Sequence, residues 1–208
     1  QQDTDHWNQF RGSNGQGVAQ ADRVPVKFGP EENVLWKTTV LPGHSSPVIW
    51  NDRLFLTAGD PADKKQLLTM AIDRKDGRIL WRQAVQADTQ GNFHPLNNPA
   101  SSTPAADDKQ VYVYFGTFGL LCYDHAGNEV WQRRLDTPES KYGMATSPIL
   151  YKDTVILALD GDNDKSRLLA VRKDTGTTVW ERPRPLFKAG WSTPMIFRHD
   201  QAEELIVL

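Results

Sequence analysis

The chain has 208 residues, 24 basic and 26 acidic side chains, and one cysteine. That length allows a sizeable core. The balanced charge, with no basic run longer than Lys64-Lys65 or Arg133-Arg134, excludes the electrostatic footprint of a nucleic-acid binder, and no apolar stretch nears the ~20 residues of a membrane helix. A lone cysteine excludes an internal disulfide and a cysteine-rich zinc site. The apolar neighbours of Cys122 predict a buried, inert thiol.

Residues 1–32 read as an N-terminal extension. Its polar start, Gln1-Gln2-Asp3-Thr4-Asp5, carries no Met. That suits a mature chain whose signal peptide has been removed, and equally a trimmed one; the first case places the protein in the periplasm or outside the cell.

From residue 33 onward one unit recurs. Trp36, Trp81, Trp131 and Trp180 are spaced by 45, 50 and 49 residues. A second landmark runs with them: Ser45-Ser46-Pro47, Ser102-Thr103-Pro104, Thr146-Ser147-Pro148 and Ser192-Thr193-Pro194. A fixed period of this size marks one supersecondary unit copied several times, each needing its neighbours to bury its apolar face.

Within the first unit, Ser46–Trp50, Leu54–Ala58 and Leu67–Ile72 read as strands. Asp73–Gly77 then turns into Arg78–Trp81, and Asp-Gly between apolar runs is a hairpin signal. The second unit has Val111–Phe115, Leu120–Tyr123 and a turn at Gly127 before Glu129–Trp131. The third has Thr154–Leu159, Leu168–Val171 and a turn at Gly176 before Thr178–Trp180, and a fourth begins at Ser192–Phe197. Short strands, hairpin turns and no helical periodicity predict an all-β chain of four-stranded propeller blades. A β-sandwich would also supply strands at this spacing, but has no reason to repeat Ser/Thr-Pro and Gly-x-x-x-Trp in step. The predicted parts are a closing strand at 33–40, blades at about 44–84, 101–134 and 145–182, and an incomplete blade at 191–208. The apolar run Leu205–Leu208 at the end suggests a piece of a longer protein.

The turn-to-strand motif carries a resemblance. Ala71, Asp73, Gly77 and Trp81 form Ala-x-Asp-x-x-x-Gly-x-x-x-Trp; Asp124, Gly127 and Trp131 repeat it one residue shorter, and Gly176 and Trp180 repeat it with Arg172 in place of Asp. This resembles the tryptophan-docking motif of pyrroloquinoline-quinone (PQQ)-like β-propellers. The opening Trp7-Asn8-Gln9-Phe10-Arg11-Gly12 is similar to that of secreted planctomycete-type propeller proteins of bacteria. The resemblance implies a ring of about seven or eight blades, of which roughly half is here, with 33–40 donated to the last blade to close it. In that reading each tryptophan is structural and covers the next blade's glycine turn.

The same family holds quinoprotein dehydrogenases and the outer-membrane-assembly propeller lipoprotein. For the former, the resemblance implies PQQ seated between a vicinal disulfide and a tryptophan, with Ca2+ and a catalytic aspartate. No Cys-Cys pair and no match to the calcium-ligand motif occurs in this sequence, so no catalytic residue is assigned. The expected function is a non-catalytic secreted or periplasmic scaffold binding a protein or polysaccharide without cofactor. The alternative is a PQQ- and Ca2+-dependent dehydrogenase acting on alcohols or sugars.

Loops entering the innermost strands should line one rim and carry any binding. They bring His44, His94, Asn97, Asn98, Lys141, Tyr142 and Trp191 together as the candidate surface. The 84–100 segment is longer than the repeat requires. Asp160, Asp162 and Asp164 alternate as at the start of a calcium loop, but an EF-hand needs Gly and Glu where Lys165 and Val171 stand. A partial ring also exposes apolar blade faces, from which self-association is expected.

Overall fold

The structure, a computed structural model, describes residues 6–19, 24–136 and 138–208; Gln1–Asp5, on which the reading of a processed N-terminus rests, lie outside them. Fifteen strands form four antiparallel sheets, with no α-helix among the described residues and one 3-10 turn at Ser13–Gly15. The first sheet orders β1 (His6–Trp7), β2 (Val48–Trp50), β3 (Arg53–Gly59), β4 (Gln66–Asp73) and β5 (Ile79–Gln86). The second orders β6 (Ala105–Ala106), β7 (Gln110–Phe115), β8 (Gly119–Asp124) and β9 (Glu129–Arg134); the third, β10 (Ile149–Tyr151), β11 (Thr154–Leu159), β12 (Arg167–Arg172) and β13 (Thr178–Pro183). The fourth pairs β14 (Met195–His199) with β15 (Ala202–Ile206).

The first three sheets meander from a short inner strand to an outer one, and consecutive sheets pack face to face. The middle strands are apolar on both faces because both are covered: β7 and β8 are buried along nearly their whole length. The outer strand β5 alternates between half-buried and exposed, because only one of its faces meets the next sheet. Each core joins two successive blades. Phe55, Leu67 and Ala71 meet Val111, Val113, Phe115 and Leu121; Tyr112, Tyr114, Leu120 and Cys122 meet Val155, Leu157 and Leu169; Ile149 and Ile156 meet Ile196 and Leu205. This is part of a β-propeller. Cys122 has no exposed surface, and burial pushes its thiol pKa well up.

The two sequence landmarks are the joints between blades. Trp81 Nε1 donates to His125 O at 3.0 Å and Trp131 Nε1 to Lys173 O at 2.7 Å. Their rings lie on the positive-φ glycines of the next blade's turn: a Cβ at Gly127 would sit 2.7 Å from Trp81 Cγ, and one at Gly176 2.7 Å from Trp131 Cε3. The residue two positions beyond each tryptophan also reaches that glycine, Gln83 Nε2 donating to Gly127 O at 2.7 Å and Arg133 Nη1 to Gly176 O at 2.9 Å.

At the inner ends, the residue before each proline forms a belt. Ser46 N donates to Thr103 Oγ1 at 3.0 Å, Thr103 N to Ser147 Oγ at 3.0 Å, and Ser147 N to Thr193 Oγ1 at 3.2 Å. Proline favours extended backbone in the residue before it, and a hydroxyl can accept the next blade's N–H where strand pairing is out of reach. Ser147 and Thr103 are 1 % and 2 % exposed, so Ser147→Ala should leave a buried donor without its acceptor. We expect a loss of about 1–3 kcal/mol, measured by urea unfolding; a loss near zero would show the belt to be incidental.

The closing segment and the extension both make contacts with the blades. Segment 33–40 has no strand partner among the described residues. It still caps blade one: Trp36 and Val40 pack on Leu68, Met70 and Ile72, Trp36 Nε1 donates to Arg74 O at 2.9 Å, and its ring covers Gly77. The extension, conversely, enters the fold. His6 and Trp7 pair with Trp50 and Ile49, Asn8 O accepts Ala106 N at 2.8 Å, Gln9 Oε1 accepts Leu150 N at 3.3 Å, and Gly15 approaches Met195. One strap thus touches the inner strand of all four blades. Within it, Trp7 lies over Gly12, whose φ of 71° only a residue without Cβ adopts freely.

Candidate binding rim

At the end of the sheets remote from the strap, the loops entering β6, β10 and β14 interlock. His94 N and Asn97 Nδ2 both donate to Tyr142 O, at 3.3 and 2.7 Å, and Trp191 Nε1 donates to Gly143 O at 2.8 Å. Phe93 lies against Gly143 and Gly91, where a Cβ on either would collide with its ring. A long insertion could not hold one shape without such ties; here the shape comes from backbone carbonyls of the neighbouring blade.

The ties set three rings in a row. His94 and Tyr142 have centroids 5.7 Å apart at 58°, and Tyr142 and Trp191 5.7 Å apart at 54°. Tyr142 is 42 % and Trp191 44 % exposed. Lys141 Nζ lies 5.6 Å from the Tyr142 ring, within reach of a weak cation–π attraction. Leu96 N donates to His94 Nδ1 at 3.2 Å, so Nδ1 is the acceptor and Nε2 is left as the ring's donor.

Two clefts flank Phe93. One, of ≈ 820 Å3, is lined by His94, Asn97, Asn98, Asp60, Lys64 and Lys141, among others. The second, of ≈ 700 Å3, is lined by Asn92, Phe93, Thr117, Glu139, Lys141 and Asp162, among others. Six of the seven rim residues singled out in the sequence therefore come together. His44 does not: its backbone and that of Ser45 are pinned to Ala100 O, at 3.0 and 3.1 Å, and its exposed side chain lines neither cleft. Sequence reading missed Phe93 as the wall between the clefts, and Asp60 and Lys64, which arrive from the β3–β4 hairpin of another blade.

Asp160, Asp162 and Asp164 take three separate partners. Asp160 is buried against Arg184, Oδ2 lying 3.4 Å from Nη1, with Arg184 stacked on Phe187; burial raises the Asp160 pKa and Arg184 lowers it in part. Asp162 Oδ1 accepts Ala189 N at 3.2 Å and Asp164 Oδ1 accepts Lys188 Nζ at 2.7 Å. The segment 160–164 is a braced turn, and no group of three His, Cys, Asp or Glu able to hold a metal occurs among the described residues.

Blade-on-blade sheets joined by tryptophan–glycine contacts, with interlocked loops at one rim, define a propeller of the PQQ-like repeat class. The family description that matches residues 21–188, outer membrane protein assembly factor BamB, covers most of the chain, and the chain belongs to that PQQ-like propeller family. The quinoprotein ethanol dehydrogenase of Pseudomonas putida is 28 % identical over 153 residues, 68 % of this chain and 23 % of that protein. Among solved structures, a europium-containing methanol dehydrogenase superposes with a TM-score of 0.63 at 15 % identity, over 86 % of this chain and 32 % of that one. The quinohemoprotein alcohol dehydrogenase of Comamonas testosteroni superposes with a TM-score of 0.60 at 17 % identity, over 86 % and 27 %. This chain thus spans a quarter to a third of the length of these proteins, and at such identities the superpositions report the fold.

Proposed function

We propose that this chain belongs to a non-catalytic scaffold of the cell envelope or exterior that binds a protein or polysaccharide through the rim of residues 92–98, 141–143 and 188–191. The observation that carries this reading is the row His94–Tyr142–Trp191, half-open to solvent yet held by hydrogen bonds to main-chain carbonyls. Aromatic rings fixed in place before a ligand arrives lose little entropy on binding, and loops on a rigid sheet scaffold are where binding is carried. Nothing in the row pairs a nucleophile with a base.

The test is retention of an envelope-derived ligand on immobilised protein, compared with Tyr142→Ala and Trp191→Ala variants. Retention should fall about tenfold in each, the size of a loss of 1.4 kcal/mol, with the melting temperature kept; equal retention would overturn the reading.

The match to a quinoprotein ethanol dehydrogenase supports a second reading, a PQQ- and Ca2+-dependent dehydrogenase. The residues described here do not fit that cofactor pair: the single cysteine is buried between blades, and the three alternating aspartates are braced against Arg184, Ala189 and Lys188. Titration of the protein with PQQ and Ca2+ decides between the readings. Saturable, stoichiometric quinone absorbance would establish the second; no uptake at high micromolar PQQ favours the scaffold.

A further inference from the structure

We infer that the rim ligand is a polysaccharide chain, lying with its sugar faces on His94, Tyr142 and Trp191 and its hydroxyls directed into the cleft beside His94. This rests on the rim reading above and names the ligand class.

Three observations favour a glycan over a protein surface. First, the rings follow one another from loop to loop and stay half-open to solvent. Equal centroid steps of 5.7 Å cross loops of three successive blades, with neighbouring rings tilted by 58° and 54°. The C–H face of a pyranose is apolar and about the size of one aromatic ring, so each step suits one sugar. A protein hot spot instead needs a compact centre, sealed from water by surrounding contacts.

Second, the polar atoms left over beside the row are mostly donors. His94 Nε2 is left as a donor because Nδ1 accepts from Leu96 N. Asn98 spends Oδ1 on Ala100 N at 2.7 Å, while its Nδ2 has no partner among the described residues. Asn97 Oδ1 accepts from both Asn98 N and Ser101 Oγ, and Asn97 Nδ2 uses one of its two hydrogens on Tyr142 O. Lys64 and Lys141 line the same cleft without an ion pair among the described residues. Hydroxyl and ring oxygens of sugars are acceptors that such a set satisfies.

Third, the cleft is already formed. Its volume of ≈ 820 Å3 is bounded by Pro42, Pro61, Pro95 and Pro99, whose fixed φ limits collapse. His94 lines it, and the row continues to Tyr142 and Trp191, which do not. An extended chain can therefore enter one sugar at a time, with its remainder on Tyr142 and Trp191.

The experiment is isothermal titration of the protein with hexasaccharides of β-glucan, xylan and a polyuronate, repeated on Trp191→Ala, Tyr142→Ala and Asn98→Ala. Binding of at least one probe is expected, weakened about tenfold by loss of either ring. A ligand tight only for the polyuronate and weakened by salt would assign Lys64 and Lys141 to its carboxylates; equal affinity for the neutral chains would assign the amides and His94. If no hexasaccharide binds while a photo-crosslinker at position 142 captures one defined protein, the glycan inference is overturned and the rim reading stands. If a hexasaccharide binds and all three variants bind it unchanged, both are overturned.

Discussion

Trp131→Ala is expected to cost about 3–5 kcal/mol, the usual range for truncating a buried tryptophan to alanine. In a chain of this size that corresponds to a fall of roughly 10 °C in melting temperature. Trp131 is 9 % exposed, packs with Tyr112, Leu120 and Leu169 between blades two and three, and its N–H satisfies Lys173 O at 2.7 Å. Removing it opens a cavity and frees a carbonyl together. The partner change tests the geometry directly. Gly176→Ala places a Cβ 2.7 Å from Trp131 Cε3 at a φ of 68°, so it should cost about 1 kcal/mol for the left-handed backbone and more for the overlap. In the double variant the overlap vanishes with the ring and only the backbone cost remains. Thermal and urea unfolding of the four proteins would show strong non-additivity; costs that simply add would show that the ring does not rest on the glycine.

Gly176, with its positive φ, was visible in the sequence because one residue type alone fits there without strain, and Trp131 because only one side chain is that large. The clamp next to them was not. Thr38, Gln83 and Arg133 reach the corresponding glycine carbonyls, of Gly77, Gly127 and Gly176, at 2.5, 2.7 and 2.9 Å, yet they share only their place two residues after a tryptophan. The task is defined by position, and a hydroxyl, an amide or a guanidinium can each perform it. The replacement of the motif aspartate by Arg172 has a similar account. Asp73 and Asp124 accept N–H groups of their own turns, whereas Arg172 donates twice to Asp174, both at 2.9 Å, so the turn keeps a local carboxylate two residues later.

Blade order, strand pairs and hairpin turns follow from period and alternation, which are local properties of the chain. The rim was legible only as a set of loops, because what joins His94 to Tyr142 and Trp191 is a pair of main-chain carbonyls that no side-chain pattern encodes. Pinning of His44 away from that cluster has the same origin, a backbone bond to Ala100 O. The aspartates at 160, 162 and 164 failed as a cluster because Arg184, Ala189 and Lys188, all on a distant loop, each claim one of them.

Removal of residues 1–15 is expected to loosen the inner edges of all four blades, since the strap is the element that joins them at the end opposite the rim. Its loss would unpair β2 from His6 and Trp7 and expose Trp50, on which His6 is stacked at 3.7 Å. It would also leave Ala106 N and Leu150 N without acceptors. Unpaired inner strands are open edges that invite a second chain. The truncated protein should therefore melt several degrees lower and scatter more light than the intact chain at the same tens of micromolar. A milder change isolates the polar link: Gln9→Ala removes the acceptor of the half-buried Leu150 N–H and should cost about 1 kcal/mol. Amide hydrogen exchange reads both variants residue by residue. Ala106 and Leu150 should lose protection in the truncation and Leu150 alone in Gln9→Ala, while amides of β8 and β12 stay protected. Unchanged protection at both positions, with an unchanged melting temperature, would reduce the strap to a passive tail. Loss of protection across every blade would mean instead that the strap holds up the whole fold, and that the Trp-Asn-Gln-Phe-Arg-Gly opening is as structural as the tryptophans that follow it.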